Sequence, residues 1–226
     1  MPDDPLRMFL VLRRGAITAL AQGGELAGAA AVACLRRYEA DPAYADAIAA
    51  WRPRPGKVCL RARTHAQWER LLTEEPHALA GEPEGPAVAA LPPRRRSERG
   101  ALLERLQAMS GELEPAPARA AGADDRAALT YLMTPHAAMS SGKVLAQVAH
   151  AAVVAAPRHA AWAAAGCPGR VLAPPAATFD ALCRLPADDV AARVEDAGLT
   201  EVPPGTVTVL ALPPGPAGAL PRSLVA

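Results

Sequence analysis

The feature that most constrains this chain is the repetition of the same short patterns in its two halves. MFLVL at residues 8–12 and LTYLM at residues 129–133 each precede a Gly/Ala-rich helical stretch. Further on, each half has a Pro-Gly pair before an apolar strand, and then Thr64 or Thr178, placed to cap an amphipathic helix. PAVAALPP later parallels VTVLALPP. Three pairs of matching segments occur in the same order in both halves. This favours a degenerate tandem duplication over convergence on turn and strand patterns that are common in α/β proteins, in a chain rich in alanine.

The chain divides near its middle. Residues 110–127 are rich in Ala, Pro, Gly and charged residues and have no apolar period, as expected of a linker. We therefore predict one domain at residues 1–109 and another at 128–226. The expected elements of the second are strands at 129–133, 170–173, 190–195 and 206–212 and helices at about 140–156 and 178–185. Strands alternating with helices predict two similar α/β domains, each a four-stranded mixed sheet sandwiched between helices.

Composition narrows the function classes only a little. The 226-residue chain is 51% hydrophobic with a net charge of +1, so any nucleic-acid contact must depend on a local patch of charge. The four cysteines have neither zinc-site spacing nor the density of a disulfide scaffold, which predicts reduced core thiols and no metal. Neither a secretory signal nor a membrane-spanning stretch is evident, so we expect a cytoplasmic protein without membrane contact.

One predicted helix carries a polar stripe. In MSSGKVLAQVAHAAV, Ser140 or Ser141 is a plausible N-cap, and Gly142 lies at the start of the helix. The next polar residues, Lys143, Gln147 and His150, are spaced i, i+4 and i+7 and therefore share one helical face.

An anion is expected near the start of this helix. A lysine in the first turn is unfavourable beside the positive end of the helix dipole unless an anion is present. Either Asp196 or a phosphate would supply that anion. Asp196 and Gly198 belong to a DAG sequence just past a predicted strand, where open α/β sheets usually bind ligands.

These segments resemble a known family. The strand LTYLM, the helix SGKVLAQVAHAAV and the run VEDAGLTEVPPGTVTVLALPPGPA are similar in order and spacing to segments of type-2 peptidyl-tRNA hydrolases. The specificity lies in combining G-K-x-x-x-Q-x-x-H with D-A-G-x-T and P-G-T-x-T-V-L. The resemblance covers nearly the whole second half. It implies a four-stranded mixed sheet between helices, hydrolysis of the ester that joins a peptide to the 3′ ribose of tRNA, and no metal or organic cofactor.

The resemblance also implies a set of site residues. The catalytic candidates are Lys143, Gln147, Asp196, Thr200 and Thr208, and the pocket candidates are His150, Gly142 and Gly198. We hypothesise that Asp196 orients a water molecule and that Lys143 stabilises the oxyanion or keeps Asp196 ionised, while the amide and hydroxyls donate hydrogen bonds. Each residue also has an ordinary interpretation: a surface lysine or amide, a turn aspartate, strand threonines, a half-buried histidine.

The sequence departs from the family at two positive charges. The family usually has a second lysine before the helix and an arginine in D-A-G-R-T, whereas this chain reads MSSGK and DAGLT, with Leu199 in place of the arginine. Arg94, Arg95 and Arg96, in the run PPRRRSERGALLERLQAM with its predicted amphipathic helix, are candidate RNA-binding residues. The alternative is a solvated charge run at a helix start.

The first half lacks the polar site residues of the second half. If it is a copy, the positions of Lys143, Gln147, His150 and Thr208 are taken by Glu25, Ala29, Val32 and Ala87. We therefore predict a non-catalytic pseudo-domain that packs on the second half as an intramolecular pseudo-dimer, in a chain that is a monomer or a dimer.

Three functions are compatible with these patterns. The leading expectation is a peptidyl-tRNA hydrolase, with tRNA as its partner. The alternatives are a binding protein that kept the pocket without catalysis, and a hydrolase of a smaller ester or amide.

Overall fold

The structure of the protein is a computed structural model that describes residues 4–111, 113–115 and 127–215. Most of the predicted linker and the end of the predicted second domain lie outside the described residues. The described part contains two mixed β-sheets, one from each half of the chain.

The first half forms a five-stranded sheet. Its elements are β1 (Arg7–Arg13), α1 (Leu20–Tyr38), α2 (Ala45–Trp51), β2 (Lys57–Ala62), α3 (His65–Glu74), β3 (Ala78–Gly81), β4 (Ala87–Arg94), α4 (Ala101–Glu104) and β5 (Gln107–Ala108). The strand order is β3-β4-β1-β2-β5, with β1 and β2 parallel and the other neighbours antiparallel.

The second half forms a four-stranded sheet. Its elements are β6 (Leu129–Met133), α5 (Ser141–Ala155), α6 (Ala160–Ala164), β7 (Gly169–Leu172), α7 (Ala176–Cys183), β8 (Ala192–Glu195) and β9 (Val207–Leu212). The strand order is β7-β6-β9-β8, with β6 and β7 parallel and the other neighbours antiparallel.

The two sheets share one topology. When β1, β2, β3 and β4 are matched with β6, β7, β8 and β9, the neighbours and their directions are the same in both sheets. The helices follow in the same places, α1 to α3 in the first half and α5 to α7 in the second. The short strand β5 is an addition at the outer edge of β2.

Each sheet has apolar side chains on both faces, because alternate residues of a strand point to opposite sides. In β1, Met8 and Leu10 belong to a core cluster that also includes residues of α1 and α5, whereas Phe9 and Val11 pack with residues of α3 and α4. In β6 the same division separates Tyr131 from Leu132, which packs with α7. The helices α1 and α5 therefore lie in a shared central layer between the two sheets.

Small residues bring α1 and α5 close together. A Cβ atom added at Gly24 would lie 3.4 Å from a side-chain carbon of Val148, and one at Gly28 would lie 3.3 Å from the Cβ of Ala152. These contacts advance in the same direction along both helices, so the two helices begin at the same end of the molecule. Glycine at these positions leaves space that a larger side chain would fill.

Each central helix also packs on the sheet of the other half. α1 contacts β7, and α5 contacts β2. The Glu25 carboxylate accepts a hydrogen bond of 3.2 Å from the backbone N–H of Val171 in β7. The two halves therefore share one continuous core.

The predicted α/β class is confirmed, with two mixed sheets between helices. The prediction of four strands in the first half is wrong, because β5 adds a fifth. The amphipathic helix predicted after Arg96 is also wrong: α4 spans only Ala101–Glu104, after which the chain turns to pair with β2 and buries Leu106. Thr178 lies inside α7 and does not cap it, whereas the hydroxyl of Thr64 caps α3 as predicted.

None of the described helices has the length and apolar character needed to cross a bilayer. Glu114, in the predicted linker, forms an isolated parallel bridge with Ala19, the residue before α1.

Candidate active site

The start of α5 is fixed from two directions. The Ser140 hydroxyl caps the helix by accepting a hydrogen bond from the N–H of Lys143. The Glu201 carboxylate accepts hydrogen bonds of 2.7 and 2.6 Å from the backbone N–H and the hydroxyl of Ser140. A carboxylate is favourable at a helix N-terminus because it complements the helix dipole. The loop after β8 is thus attached to the first turn of α5.

The central feature of the site is a carboxylate held by two side chains of α5. The Lys143 ammonium donates a hydrogen bond to Oδ2 of Asp196 and forms an ion pair with it. The Gln147 amide donates to the same oxygen at 2.5 Å. These donors lie four residues apart on the helix, so both reach the end of β8 from one face. These contacts bring together three of the five catalytic candidates, and Thr200 joins them as a fourth through Lys143.

The other oxygen of Asp196 is held by its own turn. Gly198 donates its backbone N–H to Oδ1 at 2.9 Å and has a φ of +73°, a conformation that glycine adopts without strain. A carboxylate offers about four lone-pair positions. Lys143, Gln147 and Gly198 occupy three of them, which leaves one position on Oδ1 among the contacts of the described residues.

Asp196 is ionised at neutral pH. Burial is the largest influence on its pKa and acts to raise it. Hydrogen bonds from Lys143, Gly198 and Gln147, together with the Lys143 charge, outweigh burial and hold the pKa below its usual value. The side chain of Asp196 is 7% exposed and that of Lys143 is 13% exposed, so the pair is largely shielded from water.

The two candidate threonines have different surroundings. Thr200 is exposed, and its hydroxyl accepts a hydrogen bond of 2.9 Å from the Lys143 ammonium. Thr208 is fully buried in β9, where its hydroxyl donates to the carbonyl of Val194 at 3.2 Å. The structure therefore places Thr200 in the cluster and Thr208 in the strand beside it.

His150 lies one turn beyond Gln147 on the same face of α5. It is half-buried. Burial lowers its pKa to about 3, assisted by the nearby charge of Lys57 and opposed by that of Asp196. The imidazole is therefore neutral at physiological pH, as expected of a residue that shapes a pocket.

Gly142 allows a close approach of the first half to α5. A Cβ atom at this position would overlap the carbonyl oxygen of Met109. The hydroxyl of Ser141 accepts a hydrogen bond of 3.0 Å from the N–H of Leu113. The first turn of α5 is therefore in contact with the segment that follows β5.

The three candidate RNA-binding arginines lie away from this cluster. Arg94 ends β4 and pairs with Arg7 at the beginning of β1, which is the opposite edge of the sheet from the start of α1. Its guanidinium forms an ion pair of 2.8 Å with Glu75, in which both side chains are mostly buried. Arg95 and Arg96 are exposed beside it and bond to Asp4 through a guanidinium and a backbone N–H.

Glu201 is the contact residue that the sequence analysis did not identify. It follows Thr200 directly, and its signal is an acidic side chain in a loop predicted to face a helix N-terminus. No group of three or more His, Cys, Asp or Glu side chains in the described ranges is arranged to hold a metal ion.

The fold and this cluster define the second half as a small α/β domain that presents a lysine-held carboxylate beside the carboxyl end of its sheet. Residues 129–223 match the family model described as Peptidyl-tRNA hydrolase PTH2, so the resemblance in the motifs is confirmed for the C-terminal part of the chain. The match leaves residues 1–128 outside it. No solved structure matches the chain.

Proposed function

We propose that the second half hydrolyses the ester between peptide and tRNA by direct attack of a water molecule, with tRNA as substrate and partner in the cytoplasm. The observation that carries the proposal is the Lys143–Asp196–Gln147 cluster, in a region similar to peptidyl-tRNA hydrolases at the family level.

In this mechanism Asp196 orients the attacking water through the remaining lone pair of Oδ1. Its lowered pKa makes it a weak base, so its main contribution is to position the water. As the water oxygen bonds to the ester carbon, the bond to the ribose 3′ oxygen breaks and that oxygen takes up the proton that the water loses. The geometry that supports this role is the saturation of Oδ2 by two donors, which directs the water to the other oxygen.

Lys143 stabilises the oxyanion that forms at the ester carbonyl. An ammonium has three donors, of which Asp196 and Thr200 receive two. The third is available for the substrate oxygen, and a preorganised cation in a partly dry site stabilises developing negative charge. Thr200 and Gln147 hold Lys143 and Asp196 in place, Thr208 supports the strand, and His150, Gly142 and Gly198 shape the pocket.

The first half is proposed to be a degenerate copy without catalysis. Its support is the identical order and direction of the four matched strands. On this proposal residues 1–109 and 128–226 are the two domains, joined by residues 110–127.

A second candidate function is hydrolysis of a smaller ester or amide. The observation that favours it is Leu199, which is 77% exposed at the position where the family usually has an arginine. An exposed leucine contributes contact with an apolar group and no attraction for phosphate.

The test is release of the peptide from N-blocked aminoacyl-tRNA by the full chain and by Lys143→Ala and Asp196→Ala. Asp188→Ala, which removes an acid that is 99% exposed, is the matched control. We expect each site substitution to reduce kcat by about 100-fold or more and the control to leave it unchanged. Circular dichroism verifies that the variants are folded. Wild-type protein that releases no more peptide than the two site variants would contradict the proposal.

A further inference from the structure

Four arginines lie together at the carboxyl edge of the first sheet. Arg13 and Arg14 are at the end of β1, and Arg61 and Arg63 are at the end of β2. Because β1 and β2 are parallel neighbours, their ends meet at one edge. We call these four residues the arginine cluster. The cluster joins two segments about 50 positions apart, so no continuous basic run marks it in the sequence.

Three members of the arginine cluster line a cleft. Arg13, Arg14 and Arg61 border a cleft of about 240 Å³, to which Glu114 contributes a carboxylate. Three cations thus face one anion among the described lining residues. Arg13 donates to the backbone carbonyl of Glu84 at 2.7 Å, and Arg61 donates to the amide oxygen of Gln107 at 2.9 Å.

The positive charges affect one another. Burial, followed by the charges of Arg14 and Arg63, lowers the pKa of Arg61. Like charges at short range are unfavourable unless an anion lies between them. Arg14 and Arg63 are exposed, so an anion from solution can reach them.

The cleft lies next to the candidate active site. Met109 and Leu113 line it, and these same residues contact the first turn of α5 through Gly142 and Ser141. Lys143 is the next residue of that helix. The cleft and the Lys143–Asp196 pair therefore both adjoin the first turn of α5.

We propose that the arginine cluster binds backbone phosphates of the RNA strand whose 3′ end lies at Asp196. The inference rests on the proposed function and deepens it: the first half supplies the positive charge that the second half lacks. The ester is on the terminal ribose, so the phosphates of the last nucleotides must pass over the surface close to the site. Guanidinium groups bind phosphate oxygens in pairs and remain charged at all physiological pH values.

The test compares two double variants. Arg14→Ala with Arg63→Ala removes the two exposed charges of the cluster. Arg54→Ala with Arg184→Ala is the control. Both arginines are exposed in loops at the sheet edges opposite the arginine cluster and the candidate site, and their substitution removes the same amount of charge. For each protein we would measure kcat and KM on N-blocked aminoacyl-tRNA, tRNA binding as a function of salt, and turnover of N-blocked aminoacyl-adenosine, which has no phosphate.

The expected result is specific to phosphate-bearing substrate. The cluster variant should raise KM for the tRNA ester about tenfold and lower the salt slope of binding by about two, one for each lost contact. Its kcat and its turnover of the adenosine ester should equal those of wild type, as should every value for the control. A rise in KM with unchanged kcat is a binding effect that misfolding would not produce.

Failure of the inference and failure of the proposed function give different results. Wild-type turnover of the tRNA ester with unchanged KM and salt slope in the cluster variant would overturn the inference alone. Absence of turnover in wild type would overturn the proposed function. In that case the salt dependence of tRNA binding tests the inference. A smaller salt slope in the cluster variant than in wild type supports a phosphate site, and an equal slope overturns it.

Discussion

The two halves of this protein have the same strand order and different surfaces. In the second half, α5 presents Lys143 and Gln147 to the carboxylate of Asp196. In the first half, α1 has Gly24 and Gly28 on the face that meets α5, and its Glu25 bonds to the backbone of β7. Comparison of the halves shows that topology depends on apolar alternation and turns, whereas chemistry depends on a few polar positions that change without altering the fold.

The largest expected difference is in kcat, between substitution of Asp196 in the second half and of Glu25 in the first half. Asp196→Asn in the second half should lower kcat by about 100-fold or more, because the neutral amide cannot hold the Lys143 ammonium and the water together. Glu25→Gln in the first half should leave kcat within about twofold, because an amide oxygen still accepts from Val171. Kinetics on N-blocked aminoacyl-tRNA check both. Equal losses in the two variants would show that the first half takes part in catalysis.

The second prediction concerns the shared core. Gly28→Leu places a side chain against Ala152, so the free energy of unfolding should fall by about 1–3 kcal/mol. Gln22→Leu, on the exposed side of α1, is the control and should change it by less than about 0.5 kcal/mol. Urea unfolding followed by fluorescence and circular dichroism should give one transition for wild type. Two separate transitions would mean that the halves fold independently.

The third prediction distinguishes the two threonines. Thr200→Val removes an acceptor from Lys143 and should lower kcat about fivefold, the equivalent of one hydrogen bond of about 1 kcal/mol. Thr208→Val should leave kcat within about twofold and lower the free energy of unfolding by about 1 kcal/mol, because its buried hydroxyl bonds to the Val194 carbonyl. The reverse pattern would place Thr208 in the reaction.

The smallest expected effect is that of substituting His150 on the pH dependence of kcat/KM. The pKa of His150 is about 3, so its charge does not change near neutrality. The lowered pKa of Asp196 keeps the carboxylate ionised until the pH falls below about 4, the usual value for aspartate. The profile of kcat/KM should therefore be flat from pH 7 to about 5 and fall only below that range.

His150→Asn should leave that profile within about threefold of wild type at every pH. An inflection near pH 6.5 that disappears in the variant would instead make the histidine a proton carrier.

Much of the second half was predictable from local patterns. The strand at 129–133 and the helix that begins after Ser140 follow from apolar runs and a capping serine, both of which act over a few residues. β5 was missed because it is only two residues long and forms by pairing with β2. The helix predicted after Arg96 spans only Ala101–Glu104, because the residues that follow it pair with β2 as strand β5.

The sequence by itself determined that Lys143, Gln147 and His150 share a helical face, because the helical period is a local property of the backbone. Only the tertiary structure decided that Asp196 meets two of these residues across about 50 positions, and that Thr208 bonds to its neighbouring strand instead. It also decided that Arg14 and Arg63 lie at one edge. The physical reason is that such contacts depend on how strands pair and helices cross, which is set by packing of the shared core and not by neighbouring residues in the chain.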